Sequence, residues 1–166
     1  PNCTLAQLSV VVNPDVLYKN YAYVTSPSLT MKEHFAALTQ DLLAECKPCR
    51  SAVEIGSNDG AYLEYLHGSV AHVTGIEPAE NLAKMSQQRK VPTWNTFFDA
   101  PTARSLSEDP PDLLILRHVF CHIDDWEETI HALGILCGKE TMVAIEVPYL
   151  ENTITNWEWD QIYHEH

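Results

Sequence analysis

Positive charge is scarce in this chain. Ten Lys and Arg stand against 23 Asp and Glu, for a net charge of −13 over 166 residues. The deficit is uneven: from Pro1 to Arg50 the two signs balance at four each, whereas His118 to His166 carries ten acids and one base, Lys139. Such a surface repels a nucleic-acid backbone and an anionic membrane. The expected partners are therefore a small-molecule substrate or another protein chain. No apolar run approaches the roughly 18 residues of a membrane span, and "PNCTLAQLSVVV" lacks the basic n-region of a signal peptide. It also lacks an initiator Met, so the chain is expected to begin inside a longer one. Five cysteines make an odd set without framework spacing, which points to a reducing, cytoplasmic compartment. "CKPC" (Cys46 to Cys49) has redox or zinc spacing. It follows a helical segment and precedes a strand, the reverse of a thioredoxin-type pair, and two further zinc ligands are missing. Its thiols are read as surface loop thiols, and no metal is assigned.

Hydrophobic content of 45% and charged content of 20% fit one globular domain with a real core. There are no repeats. "LSVVVNP" reads as a strand closed by Asn13-Pro14, and "YKNYAYVTSPS" as an aromatic loop. Ser28 or Thr30 is placed to cap a helix reaching about Cys46, with Phe35, Leu38, Leu42 and Leu43 on one face. From there the chain alternates. "SAVEIG", "AHVTGIEP", "VPTWN", "PDLLILRH" and "ETMVAIEVP" read as strands. "GAYLEYLHG", "AENLAKMSQQRK", a short element over 99–109 and "DDWEETIHALGILCG" lie between them. Alternation with short loops predicts an α/β domain, a Rossmann-like, doubly wound and mainly parallel sheet with helices on both faces. Residues 1–48 form a lead-in and helix, and 49–166 the core.

Ligands of such sheets sit beyond the carboxyl ends of the strands. There the chain presents "EIGSNDG", "GIEP", "LRHVFCH" and "EVPYLEN". The glycine turn departs from a dinucleotide fingerprint, with Asn58 and Ala61 where glycines belong, and Asp59 at the opening of the next helix discourages a pyrophosphate. No Gly-Lys-Ser/Thr follows, so a P-loop is excluded. Glu77, about 20 residues after the turn, can accept from both hydroxyls of a ribose; otherwise it is an N-terminal helix acid before Pro78. A ligand with a ribose, no phosphate and a positive centre satisfies these features, and S-adenosyl-L-methionine (SAM) is one. Its amino acid end and sulfonium would lie over Gly56. Glu54 either contacts the ligand or holds the turn through local N–H groups. Trp94, Phe97 and Phe98 wall an adenine or fill the core, and Asn95 or Asp99 can reach its exocyclic amine. The cofactor set read here is Glu54, Gly56, Ser57, Asn58, Gly60, Glu77, Pro78, Asn95, Phe97 and His118.

The stretches "VEIGSNDGAYL", "GIEPAENLAK", "LRHVFCHIDDW" and "EVPYLENTITNWEWDQIYHEH" resemble the central domain of class I SAM-dependent methyltransferases. The pattern is nearest to the nucleotide-sugar C-methyltransferases that act on 4-keto-deoxysugars. "NPDVLYKNYAYVTSPSLTMKEHF" resembles the segment preceding the SAM domain in that family. The resemblance implies a fragment: a zinc module before it and a substrate domain after "YHEH" are both absent. It also implies base-assisted enolate formation followed by methyl transfer, which needs a base and a group to steady the enolate. His is suited to the first role. The comparison favours His166 as base, with Tyr163, Glu165 and His122 around it and Tyr23, rather than Tyr21, closing the pocket. Tyr163 would donate to the enolate oxygen and Glu165 would orient an imidazole. His164 and His166 would share a face of a strand, which is also adventitious metal chemistry. Rival readings are a SAM-binding module without catalysis and a methyltransferase with another small-molecule acceptor; a nicotinamide oxidoreductase is disfavoured by the turn.

Overall fold

The computed structural model describes residues 12–25 and 29–157. Five strands, β1 (Ser51–Ile55), β2 (His72–Ile76), β3 (Thr93–Trp94), β4 (Leu113–Arg117) and β5 (Met142–Glu146), form one sheet. Their order is β3-β2-β1-β4-β5, with every neighbour pair parallel. The order reverses between β1 and β4, so the crevice lies above those two strands. The expected alternation, parallel sheet and two-sided cover are all present.

Burial explains the strand sequences. Leu113, Leu114, Ile115 and Leu116 are each at most 1% exposed, because a parallel central strand is covered on both faces and reads as a continuous apolar run. On one face Ala52, Leu113 and Ile115 pack with Phe35 of α2 (Leu29–Glu45) and with Tyr62, Leu63 and Leu66, the last three on or within α3 (Ala61–Leu66). On the other, Val53, Ile55, Leu114 and Leu116 pack against Ala103 of α5 (Ala100–Leu106) and Ala132 and Leu136 of α6 (Trp126–Leu136). The predicted α2 face is the one that meets the core: Phe35 is buried, and Leu38, Leu42 and Leu43 pack around it. α4 (Glu80–Gln88) packs against β3.

Three local expectations change. Asn13-Pro14 opens a helix rather than closing a strand: Asn13 Oδ1 accepts from Asp15 N–H at 2.8 Å, and Pro14 starts α1 (Pro14–Tyr18). Proline is at home there, since the first helical N–H has no partner to lose. The preceding run, 1–11, lies outside the described residues, as does Ser28. Thr30 falls inside the first turn of α2 instead of capping it. A further helix, α7 (Leu150–Thr155), follows β5. Among the described residues, no helix is long and apolar enough to cross a membrane.

Candidate active site

The turn after β1 is set by backbone conformation. Gly56 has φ +66° and Gly60 φ +74°, and Asn58 between them is also left-handed at φ +53°. Asparagine tolerates that region better than most residues. The chain therefore keeps a glycine-like conformation at position 58 and gains an amide side chain. At Gly56 a Cβ would lie 2.3 Å from Cγ2 of Val119. Gly56 and Ser57 both donate backbone N–H to Ile76 O, at 2.8 and 3.2 Å, which ties the turn to the end of β2.

Glu77, one residue past β2, is almost wholly buried. Its Oε2 accepts from Asn58 N–H at 2.8 Å and its Oε1 from Ala79 N–H at 2.9 Å. Burial raises its pKa, against the two backbone donors, which lower it. Each carboxylate oxygen still has a second lone pair, and Glu77 lines a cavity of about 740 Å³. Gly56, Asn58, Pro78, Phe97, Phe98, His118 and His122 line it too, as do Tyr18, Tyr21 and Tyr23.

Other predicted residues stand behind this wall. Glu54 is fully buried and pairs with Arg117, whose Nε and Nη2 each donate to its Oε1 at 2.8 Å. The guanidinium lies 4.3 Å from the ring centre of Tyr62 and 5.0 Å from that of Phe35. Burial drives the Glu54 carboxyl up to about 7, partly offset by Arg117, and its Oε2 is sealed off without a hydrogen-bond partner. Neither alternative raised for Glu54 anticipates this buried ion pair. Ser57 is buried against Gly75, and Gly60 against Ser86. Asn95 spends its amide on the carbonyls of Glu77 and Pro78, at 2.8 and 3.0 Å. Asp99 caps α5 through Thr102 N–H at 2.8 Å, and Trp94 lies outside the cavity lining. Asp59, next to the Gly60 N-cap of α3, is buried with Oδ2 2.9 Å from Arg89 Nη2, so its charge is paired with an arginine.

His118 has φ +52°, and its Nε2 lies 3.4 Å from Glu146 Oε1, which also receives His34 Nε2 at 2.9 Å. The contact with His118 holds the Glu146 carboxyl below its ordinary range. His122 sits in a short 3-10 turn (Phe120–His122), with its ring centre 6.1 Å from that of Tyr18. Tyr163, Glu165 and His166 lie outside the described residues. Arg117 and Tyr18 line the cavity without having been singled out in the sequence. A lone cation ending an apolar strand was the available signal for Arg117. In the CKPC segment, the surface expectation is overturned for Cys46, which is buried. Burial and the neighbouring Cys46 push the Cys49 thiol up to about 12, which leaves it unreactive.

A glycine turn, an acid at the end of the next strand and a walled cavity between them recur in many sheets of this type, so comparison with known proteins decides the family. Residues 29–166 match the family described as a methyltransferase domain. The chain belongs to that family. It is 34% identical over 169 residues to the C-methyltransferase NovU of Streptomyces niveus, covering 99% of this chain and 40% of that protein. DesVI of Streptomyces venezuelae shares the fold at TM-score 0.59 and 12% identity, over 69% of this chain and 51% of that one. A SAM-dependent methyltransferase from Geobacter sulfurreducens, solved with S-adenosyl-L-homocysteine, matches at TM-score 0.53 and 18% identity, over 68% and 47%. The Rossmann-like sheet of this methyltransferase domain is the class I methyltransferase fold. The chain spans about two-fifths of the curated relative's length.

Proposed function

We propose that the domain binds SAM in the cavity beyond β1 and β2 and that the protein containing it C-methylates a keto-deoxysugar nucleotide. The observation that carries the reading is Glu77: a buried acid at the strand end, oriented by two backbone donors and lining a cavity with aromatic walls. That lining fits a nucleoside. The carboxylate has lone pairs for both ribose hydroxyls, Phe97 and Phe98 are aromatic lining residues, and the Gly56 backbone lines the same cavity. Bound there, SAM supplies a methyl group activated by its positively charged sulfur. The similarity to a C-methyltransferase supports carbon as the acceptor.

The protein's own share is proton transfer and positioning. We assign His166 as the base that removes the proton next to the acceptor's carbonyl. Tyr163 steadies the enolate oxygen by donating its hydroxyl, Glu165 orients the imidazole, and His122 and Tyr23 close the pocket. We assign the acceptor site to a domain outside this chain, which agrees with the apolar residues Val143 and Ile145 left exposed on β5 and Val147 just after it. A cytoplasmic setting suits the reduced thiols of Cys46, Cys49 and Cys137.

The test is methyl transfer from SAM to a keto-deoxysugar nucleotide by the full-length protein. His166→Ala is expected to lower the rate by about 10²–10⁴-fold, the range of general acid–base catalysis, with SAM affinity held within a few fold. Loss of SAM affinity instead would refute the base assignment.

A further inference from the structure

We propose that Asn81 is a positioning residue for the cofactor, acting through the aromatic segment 18–25 rather than by touching the ligand. The proposal rests on the cofactor lying in the cavity described above. Residues 18–25 cross one side of that cavity, and Tyr18, Tyr21, Tyr23 and Thr25 line it. Tyr23 is 57% exposed, Tyr18 and Tyr21 are half-buried, and Thr25 is buried. Hydrogen bonds do the holding, and they recur at every second residue. Lys19 O accepts from Glu80 N–H at 3.1 Å. Tyr21 N–H donates to Asn81 Oδ1 at 3.1 Å, and Tyr21 O accepts from Asn81 Nδ2 at 2.8 Å. Tyr23 O accepts from Asn58 Nδ2 at 3.1 Å, and Thr25 N–H donates to Asn58 Oδ1 at 3.0 Å.

Bonding at alternate residues is what one edge of a β-strand presents. Here two side-chain amides replace the neighbouring strand. Asn81 exchanges both bonds with one residue, as a hydrogen-bonded antiparallel pair does. Asn58 bridges Tyr23 and Thr25 with the two-residue offset of a parallel ladder. A carboxamide suits this task because it carries a donor and an acceptor on one planar group; a carboxylate lacks the donor.

Both amides stand on the loops that build the cofactor crevice. Asn58 is in the glycine turn, and its own N–H donates to Glu77 Oε2 at 2.8 Å. Asn81 is in the first turn of α4, just after Glu77-Pro78. The segment, the turn and the ribose-binding acid are thereby one hydrogen-bonded chain. Asn81 is absent from the cavity lining, so its effect on a ligand must pass through the tyrosines that it places.

The test is titration with S-adenosyl-L-homocysteine, checked for folding by circular dichroism. Binding by the unaltered protein establishes the cofactor reading; no binding would remove that reading and this proposal together. Given binding, Asn81→Leu is expected to raise Kd about tenfold, equivalent to about 1.4 kcal/mol. Asn81→Asp, which keeps the acceptor for Tyr21 N–H, should fall between. On a background with Tyr18, Tyr21 and Tyr23 all replaced by alanine, Asn81→Leu should add less than twofold, because the rings it positions are gone. An unchanged Kd in folded Asn81→Leu overturns the proposal, and so does a full tenfold loss on that triple-alanine background. Should Asn81→Leu fail to fold, amide exchange of the unaltered protein decides. The Tyr21 and Thr25 amides should be protected, and more so with the ligand bound. Exchange at the open-chain rate in the complex would contradict the clamp.

Discussion

Replacing Arg117 with methionine is expected to destabilise the domain by about 3–5 kcal/mol, the usual cost of stripping the partner from a buried charge. Glu54 and Arg117 are 1% and 7% exposed at their side chains, and the guanidinium lies over the rings of Tyr62 and Phe35. Methionine fills similar volume and keeps the aromatic contacts, so most of the loss falls on Glu54. The effect has a pH signature. Burial raises the Glu54 carboxyl from its ordinary 4.5 to about 7. The folded protein therefore binds a proton that the unfolded chain has released. Its stability falls as pH rises from about 4.5 to about 7 and levels off above. Arg117 lowers the Glu54 pKa, so its removal extends this fall to higher pH. Urea denaturation at pH 6 and pH 8 is expected to show a larger deficit for Arg117→Met at pH 8. In Glu54→Gln, which keeps an acceptor for Arg117, the decline between pH 5 and pH 7 should flatten. Equal deficits at both pH values would show that the ion pair contributes little.

Gly56→Ala is expected to cost about 2–4 kcal/mol. Two terms add: an alanine at φ +66° pays roughly 1 kcal/mol or more relative to glycine, and the new methyl would lie 2.3 Å from Val119 Cγ2, an overpacking term of about 1–3 kcal/mol. Val119 cannot yield without moving the loop between β4 and the 3-10 turn, and Val119 itself lines the cavity. The substitution should therefore weaken SAM binding as well as the fold. A Gly56→Ala, Val119→Ala pair separates the terms. It removes the collision and leaves the strained backbone, so thermal melting should recover by about half of the loss. Full recovery would mean that the left-handed conformation costs nothing there.

What could be read from the sequence follows from the range of the interactions involved. Strand positions were legible because a covered parallel strand is a short apolar run bounded by turn residues, as in "PDLLILRH". The acid at the end of β2 was legible because its place relative to the glycine turn is fixed by one βαβ unit. Glu54 was misread because its partner is 63 residues away, and nothing local announces a pair across two strands. The partner of Asp59 was hidden for the same reason, since Arg89 belongs to the end of α4. α1 was hidden by an ambiguity in Asn-Pro, which ends strands and also begins helices. Asn81 left no local trace at all. An asparagine in the first turn of a helix is unremarkable until the fold brings Tyr21 beside it.

The central claim is that Glu77 holds the ribose of SAM beside the Gly56 turn. Calorimetric titration with S-adenosyl-L-homocysteine tests it most directly, comparing the unaltered protein with Glu77→Gln. Glutamine loses the charge and one acceptor and turns an amide toward Asn58 or Ala79 N–H. Two charge-assisted bonds of about 1.5–3 kcal/mol each are at stake. The account predicts one site per chain, weakened on the order of 100-fold in a Glu77→Gln variant that still folds. Equal affinity in the two proteins, or no binding to the unaltered one, would contradict it.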